Sequence, residues 1–115
     1  MILGIGTDIV EIGRIKRVNK DHRLAKRILA DEEFDKYRNI SNENRQTEFL
    51  AGRFAVKEAY AKALGSGIGE SIAFNEINCM NDSRGKPSLV NDRRAHVSIS
   101  HSEDYAMAMV VLETQ

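Results

Sequence analysis

Three side chains have types and spacings that suit work on a charged substrate: Asp8 in "GIGTDIVEIGRI", and Glu58 and Lys62 in "GRFAVKEAYAKALGSGIG". A carboxylate inside an apolar run caps a helix, holds a ligand or takes a proton. "DIVE" fits a capping box with Asp8 at the N-cap and Glu11 at N3, worth about 1 kcal/mol to the helix that follows. Against capping alone, Gly4 and Gly6 precede Asp8 on one face of an alternating strand and leave that face bare of side chains. Glu58 and Lys62 lie one helical turn apart, the spacing of a common surface pair worth about 0.3 to 0.5 kcal/mol. Just beyond them the backbone amides of "LGSGIG", from Gly65 and Ser66 onward, can approach an anion closely, or the glycines simply end the helix. This is not a P-loop, because it lacks the GxxxxGK[ST] order and follows a helix instead of preceding one.

"SISHS" does not build a nucleophile triad, since Ser100 and His101 are neighbours in a strand and point to opposite faces. At the end of that strand His101 can instead donate to a phosphate or a carbonyl. His22 reads as exposed. From Arg14 to Arg27 seven Lys or Arg stand against Asp21 alone, a formal +6 over fourteen residues, and "DEEFD" follows with four acids. That density exceeds what solubility needs and steers an acidic partner. No Tyr, Phe or Trp interleaves the segment for base stacking, and the whole chain has a net charge of +0, so an acidic protein is favoured over nucleic acid.

These residues must be positioned by one domain spanning 1–115: the chain has 115 residues, 42% hydrophobic and 30% charged, with no linker and a single proline, Pro87. A core of this size makes self-association a reasonable expectation. The lone Cys79 excludes an internal disulfide or a CxxC metal site and suits a reducing cytoplasm. With no apolar span of membrane length and no signal peptide, neither insertion nor secretion is expected. Ile2 to Ile9 alternates as a strand. Ile12, Ile15 and Val18 take helical spacing, and after "NKD" a second short helix ends near Leu29. A long helix runs from about Glu43 to Leu64, stopped by Gly65. Its core stripe is Leu50, Phe54, Ala61 and Leu64, widened by Phe49, Val56 and Tyr60, while Ala51, Ala55, Glu58 and Lys62 lie on the opposite side. "IAFNEINCM" and "KPSLV" read as strands about "NDSRG", where Gly85 takes a positive φ, and "HVSIS" and "YAMAMVVLE" as a hairpin about "HSED". One strand, two short helices, a long helix and four strands indicate an α+β fold. "YAMAMVVLE" is apolar on both faces and suits burial in an interface or in the core.

Read together, "GIGTDIVEIGRI", "GRFAVKEAYAKALGSGIG" and "HVSISHSEDYAMAMVVLE", with "FNEI" and "GKP" between the last two, resemble the holo-[acyl-carrier-protein] synthase family of small bacterial 4′-phosphopantetheinyl transferases. The resemblance spans nearly the whole chain and implies that family's fold, a small antiparallel sheet packed with one long helix and short helices. It implies transfer of the 4′-phosphopantetheine arm of coenzyme A to a serine of apo-acyl-carrier protein, Mg²⁺, and a homotrimer with coenzyme A clefts between protomers. By the same resemblance Asp8 and Glu58 are the metal ligands and, with Lys62 on the diphosphate, the catalytic set. Arg53 and His101 become candidates for other coenzyme A phosphates, and Gly65, Ser66, Gly85, Lys86 and Pro87 fall in the coenzyme A site. The serine needs a base, and Glu58 is the candidate, directly or through a metal-held water. Arg14, helped by Arg17 and Arg23, is expected to dock the carrier. The spacer "SLVNDRRA" is not diagnostic. The rival reading is a non-catalytic basic module for an acidic partner, in which Asp8 only caps and Glu58 only pairs with Lys62.

Overall fold

The structure is a computed structural model that describes residues 1–65 and 73–115, so Ser66, the rest of "GSGIG" and Ile72 lie outside the described residues. The chain runs β1 (Ile2–Glu11), α1 (Ile12–Val18), a 3-10 turn (Lys20–His22), α2 (Arg23–Ile28), α3 (Asp31–Arg38) and α4 (Glu43–Leu64). A second 3-10 turn (Phe74–Glu76), β2 (Cys79–Asn81), β3 (Pro87–Leu89), β4 (Ala95–His101) and β5 (Tyr105–Glu113) follow. Antiparallel pairing gives a three-stranded sheet in the order β1-β5-β4 and a separate β2-β3 hairpin. The expected α+β class is the one observed.

Helix α4 is the spine of the molecule. Asn42 starts it by accepting from the backbone N–H of Arg45 at 3.0 Å, and Gly65 ends it at φ 79°, as anticipated. The space beside the bare face of β1 is filled by the helix backbone. A Cβ on Gly4 would run into the Ala63 carbonyl, and one on Gly6 into the Ala59 carbonyl. Two strand residues rise about 6.6 to 6.8 Å and four helical residues about 6.0 Å, so glycines at every second position and alanines at every fourth stay in step. Farther back the helix crosses the sheet and brings Gly52 against Ile99 of β4. The alanine flank expected opposite the core is therefore buried too: Ala51 and Ala55, and with them Ala59, have no exposed surface. They pack with Ala106, Ala108 and Val110 of β5, while Leu50 faces the short helices.

Two expectations need correction. "DEEFD" belongs to α3, a helix that the charge pattern masked; Asp31, Glu32 and Glu33 occupy its first turn and Lys36 and Arg38 its last, as the helix dipole favours. The first part of "IAFNEINCM" is not strand, because Phe74 to Glu76 form a 3-10 turn and pairing begins only at Cys79.

Among the described residues no element covers the other face of the sheet. On β5 the inward residues Ala106, Ala108, Val110 and Leu112 are buried, whereas Tyr105, Met107 and Met109 face out. They align with Ile9 and Thr7 of β1, and Ile5 and Ile9 are 60% and 65% exposed. This answers the two-faced pattern of "YAMAMVVLE": one face is core and the other an open apolar surface.

Between α1 and α2 the chain turns a sharp corner. Asp21 and His22 adopt left-handed backbone at φ 57° and 58° although neither is glycine. Such conformations cost roughly 1 kcal/mol or more each and persist only where neighbours hold them.

Candidate active site

Asp8 sits in the middle of β1, paired with Ala108, and the residue that precedes α1 is Glu11, which makes no side-chain cap bond. The capping box is thus corrected: the strand continues through Glu11, held by pairing with β5. The glycine-permitted approach of α4 brings Lys62 Nζ to 3.1 Å from Asp8 Oδ1 and 2.9 Å from the Thr7 carbonyl oxygen. Among the described residues no ion pair joins Glu58 to Lys62, so the expected helical surface pair is replaced by a strand-to-helix pair. Both structural premises of the non-catalytic reading therefore fail.

Burial pushes the Glu58 carboxyl above its ordinary pKa, the Asp8 carboxylate pushes it further, and Lys62 partly offsets them. The Asp8 carboxylate acts on Glu58 as a like charge, a repulsion that a bound cation relieves. Hard oxygen donors of this kind suit Mg²⁺, which binds through one or two carboxylates and completes its shell with water and substrate phosphate. Asp8 and Glu58 accordingly fit the implied metal as a partial ligand set.

Both carboxylates line a cavity of about 640 Å³. Arg14 from α1 and Arg23 and Arg27 from α2 bring positive charge to it, and Ile9, Ile15, Leu24 and Phe54 contribute apolar wall. Arg17 is not among its lining residues, and Arg27, which was not singled out from sequence, is.

The residues assigned to coenzyme A phosphates gather elsewhere. Arg53, Gly85, Pro87 and His101 line a second, larger cavity of about 1160 Å³, with Lys36, Arg45 and Asn81 beside them. Lys86 is exposed and outside that lining; its backbone N–H donates to Asp82 Oδ1 at 2.9 Å. Helix α4 is the wall between the cavities, presenting Phe54 and Glu58 to the first and Arg45, Phe49 and Arg53 to the second. In the sheet, Asp8 and Ile99 flank the same Ala108 from opposite sides, so the two sites lie two strand spacings apart, roughly 10 Å.

Arg53 is almost completely buried, its guanidinium lying 4.4 Å from the Phe49 ring centre and donating to Asn81 Oδ1. Beneath it lies a charge cluster that sequence reading missed. Lys57 and Glu33 have no exposed surface, and Lys57 Nζ stands 2.7 Å from Glu33 Oε1. The ammonium also donates to the Phe74 and Ile77 carbonyls, while Glu33 accepts from the N–H groups of Ala30 at 2.8 Å and Cys79 at 3.1 Å. Burial lowers the Lys57 pKa, with Glu33 pulling the other way, and raises that of the Cys79 thiol. The detectable signal was position: Lys57 falls on the apolar stripe of α4, three residues after Phe54 and four before Ala61.

With this geometry established, comparison with known proteins gives a consistent answer. Residues 4–110 match the sequence profile described as the 4′-phosphopantetheinyl transferase superfamily. The chain is 52% identical over 114 residues to the holo-[acyl-carrier-protein] synthase of Staphylococcus epidermidis, covering 98% of this chain and 97% of that protein. It is 54% identical over 115 residues to the same-named protein of Staphylococcus aureus, with the same coverage. A crystal structure of a holo-(acyl-carrier-protein) synthase from Bacillus anthracis in complex with CoA (3′,5′-ADP) superimposes with a TM-score of 0.92 at 46% identity, covering 100% of this chain and 99% of that one. A strand carboxylate and a helix carboxylate lining one cavity, in a chain alike over nearly its whole length, lead to one assignment: the protein belongs to the 4′-phosphopantetheinyl transferase superfamily, within its holo-[acyl-carrier-protein] synthase family.

Proposed function

We propose that this chain transfers the 4′-phosphopantetheine arm of coenzyme A to a serine of an apo-acyl-carrier protein and releases adenosine 3′,5′-bisphosphate. The carrying observation is one cavity lined by Asp8 and Glu58 together with Arg14, Arg23 and Arg27, with Lys62 paired to Asp8 beside it. Phosphoryl transfer needs mainly positioning and charge neutralisation, and these residues supply both. The arginines receive the acidic carrier and present its serine. Lys62 holds the diphosphate beside Asp8. As the serine oxygen bonds to the pantetheine-bearing phosphorus, the P–O bond to the adenosine phosphate breaks, and the hydroxyl proton passes to Glu58. Burial and the neighbouring Asp8 raise the basicity of Glu58 toward the working pH. Asp8 and Glu58 would hold Mg²⁺, which when bound would supply neutralisation of the diphosphate charge.

A homotrimer follows from the same reading. The two candidate sites occupy opposite flanks of α4, and the open sheet face, on the side away from the helix, exposes Ile5, Ile9, Met107 and Met109. Packing that face against neighbouring copies would join the Asp8 site of one protomer to the His101 site of the next, with one coenzyme A spanning both. No helix among the described residues is long and apolar enough to cross a membrane. A buried thiol at Cys79 suits a protein that works in the cytoplasm.

The direct test is incubation with coenzyme A, Mg²⁺ and an apo-carrier protein, read by mass spectrometry. The phosphopantetheine increment on the carrier is expected; none on a competent carrier across a range of Mg²⁺ refutes the assignment.

A further inference from the structure

The left-handed corner at Asp21 and His22 has no glycine to ease it, so its geometry must be imposed from outside. The imposing group is the hydroxyl of Tyr37 on α3, a side chain only 2% exposed. Asn19 Nδ2 stands 2.9 Å from that hydroxyl and His22 Nδ1 stands 2.6 Å from it. An amide nitrogen can only donate, so the hydroxyl accepts from Asn19 and directs its own proton at His22. The other end of the Asn19 amide, Oδ1, accepts from the N–H of Ala25 in the first turn of α2 at 3.0 Å, and the Asn19 carbonyl accepts from His22 N–H at 3.0 Å. The side chains on both sides of Asp21, those of Asn19 and His22, thus meet at one oxygen. Tyr37 is itself fixed, because its carbonyl accepts from Gln46 Nε2 of α4 at 3.0 Å.

The corner sets how α2 is aimed relative to α1. Arg14 lies on the first and Arg23 and Arg27 on the second, yet all three line the cavity that contains Asp8 and Glu58. We propose that Tyr37 is a positioning residue for carrier recognition: its hydroxyl locks the Asp21–His22 corner so that Arg14, Arg23 and Arg27 form one preorganised face for an acidic helix of the protein substrate. The proposal rests on the docking role given above to these arginines. Tyr37 lines neither that cavity nor the second one, and Tyr37→Phe keeps the ring that packs with Leu24 and Ile28, so loss of the hydroxyl reaches the arginines through the corner and not by direct contact.

The test compares steady-state kinetics of the full chain and Tyr37→Phe. Losing one buried hydroxyl is expected to raise KM for the apo-carrier roughly three- to tenfold, the range one hydrogen bond spans, while kcat and KM for coenzyme A stay within about twofold. Asn19→Ala, which cuts the same clamp from the solvent side, is expected to give the same split. In the Tyr37→Phe background, Asp21→Gly should recover at least half of the lost carrier affinity, because glycine adopts positive φ freely. Asp21→Ser controls for the removed charge without easing the positive φ, and recovery equal to that of the glycine overturns the corner argument. Equal damage to both KM values, or an unchanged carrier KM in Tyr37→Phe, also overturns it. Arg14→Glu, measured in parallel, separates the two levels. If it raises carrier KM while Tyr37→Phe does not, the clamp alone fails; if it leaves carrier KM unchanged, the docking role fails and the clamp with it.

Discussion

Lys62 Nζ stands 3.1 Å from Asp8 Oδ1, across 54 positions of sequence, and so brings a positive and a negative charge together within range of Glu58. Glu58 feels both partners with opposite sign. Asp8→Asn removes a like charge and should lower the Glu58 pKa, whereas Lys62→Ala removes an opposite charge and should raise it. Titration of carbon-13-labelled glutamate in the metal-free protein reads both directly. Shifts of the same sign in the two variants would contradict the arrangement.

Glu58 should also show a conflict between function and stability. Its folded pKa lies above the ordinary carboxylate value, so the folded state binds a proton more readily than the unfolded chain. Stability then declines as pH rises through the window between those two values. Glu58→Gln removes the charge and is expected to raise Tm by roughly 1–3 °C at neutral pH, with the gain disappearing in acid, while transfer falls at least about a hundredfold. Calorimetry across pH beside a transfer assay decides it, and retained transfer would remove Glu58 from the chemistry.

Gly6→Ala has nowhere to put its methyl group, because the Ala59 carbonyl occupies the place. The helix must lift from the strand, at an expected cost of at least about 2 kcal/mol in urea denaturation. A cost near zero would mean that the contact is looser than described.

The buried Glu33–Lys57 pair predicts strong non-additivity. Lys57→Met leaves a carboxylate stranded without its main partner and should cost about 3–5 kcal/mol. Adding Glu33→Gln should restore part of that loss, a coupling of roughly 1–3 kcal/mol in a double-mutant cycle. Additive losses would show that the two charges are compensated separately.

The open sheet face predicts assembly. Ile5 is 60% exposed in the single chain, and Ile5→Glu should shift sedimentation toward monomer and reduce transfer with it. A variant that stays monomeric and fully active would argue for a site complete within one chain.

What the sequence made legible was what local signals encode. The end of α4 is marked by a terminal glycine, and the last hairpin by alternation around polar turn residues. Asp8 was ambiguous because a capping box and a strand carboxylate look alike over four residues; the deciding fact, pairing with Ala108, lies a hundred positions away. Helix α3 escaped because only Phe34 and Tyr37 mark an apolar face among its charges. Lys57 was visible as a lysine on the Leu50–Phe54–Ala61–Leu64 stripe, yet its partner Glu33 came from a helix not foreseen. Separation of the candidate site residues into two cavities depends on how α4 crosses the sheet, which no short stretch records.

The backbone contacts of Gly4 and Gly6 also bear on how this gene can vary. Glycine is the one residue without a Cβ, so every missense change in either codon, whatever the base altered, adds an atom where a helix carbonyl already lies. Surface positions can drift through conservative neighbours in the genetic code; these two have none. The alignment of Asp8 with Lys62 is thereby protected by the lack of any tolerated alternative, and codon-level variation at positions 4 and 6 should be confined to synonymous change.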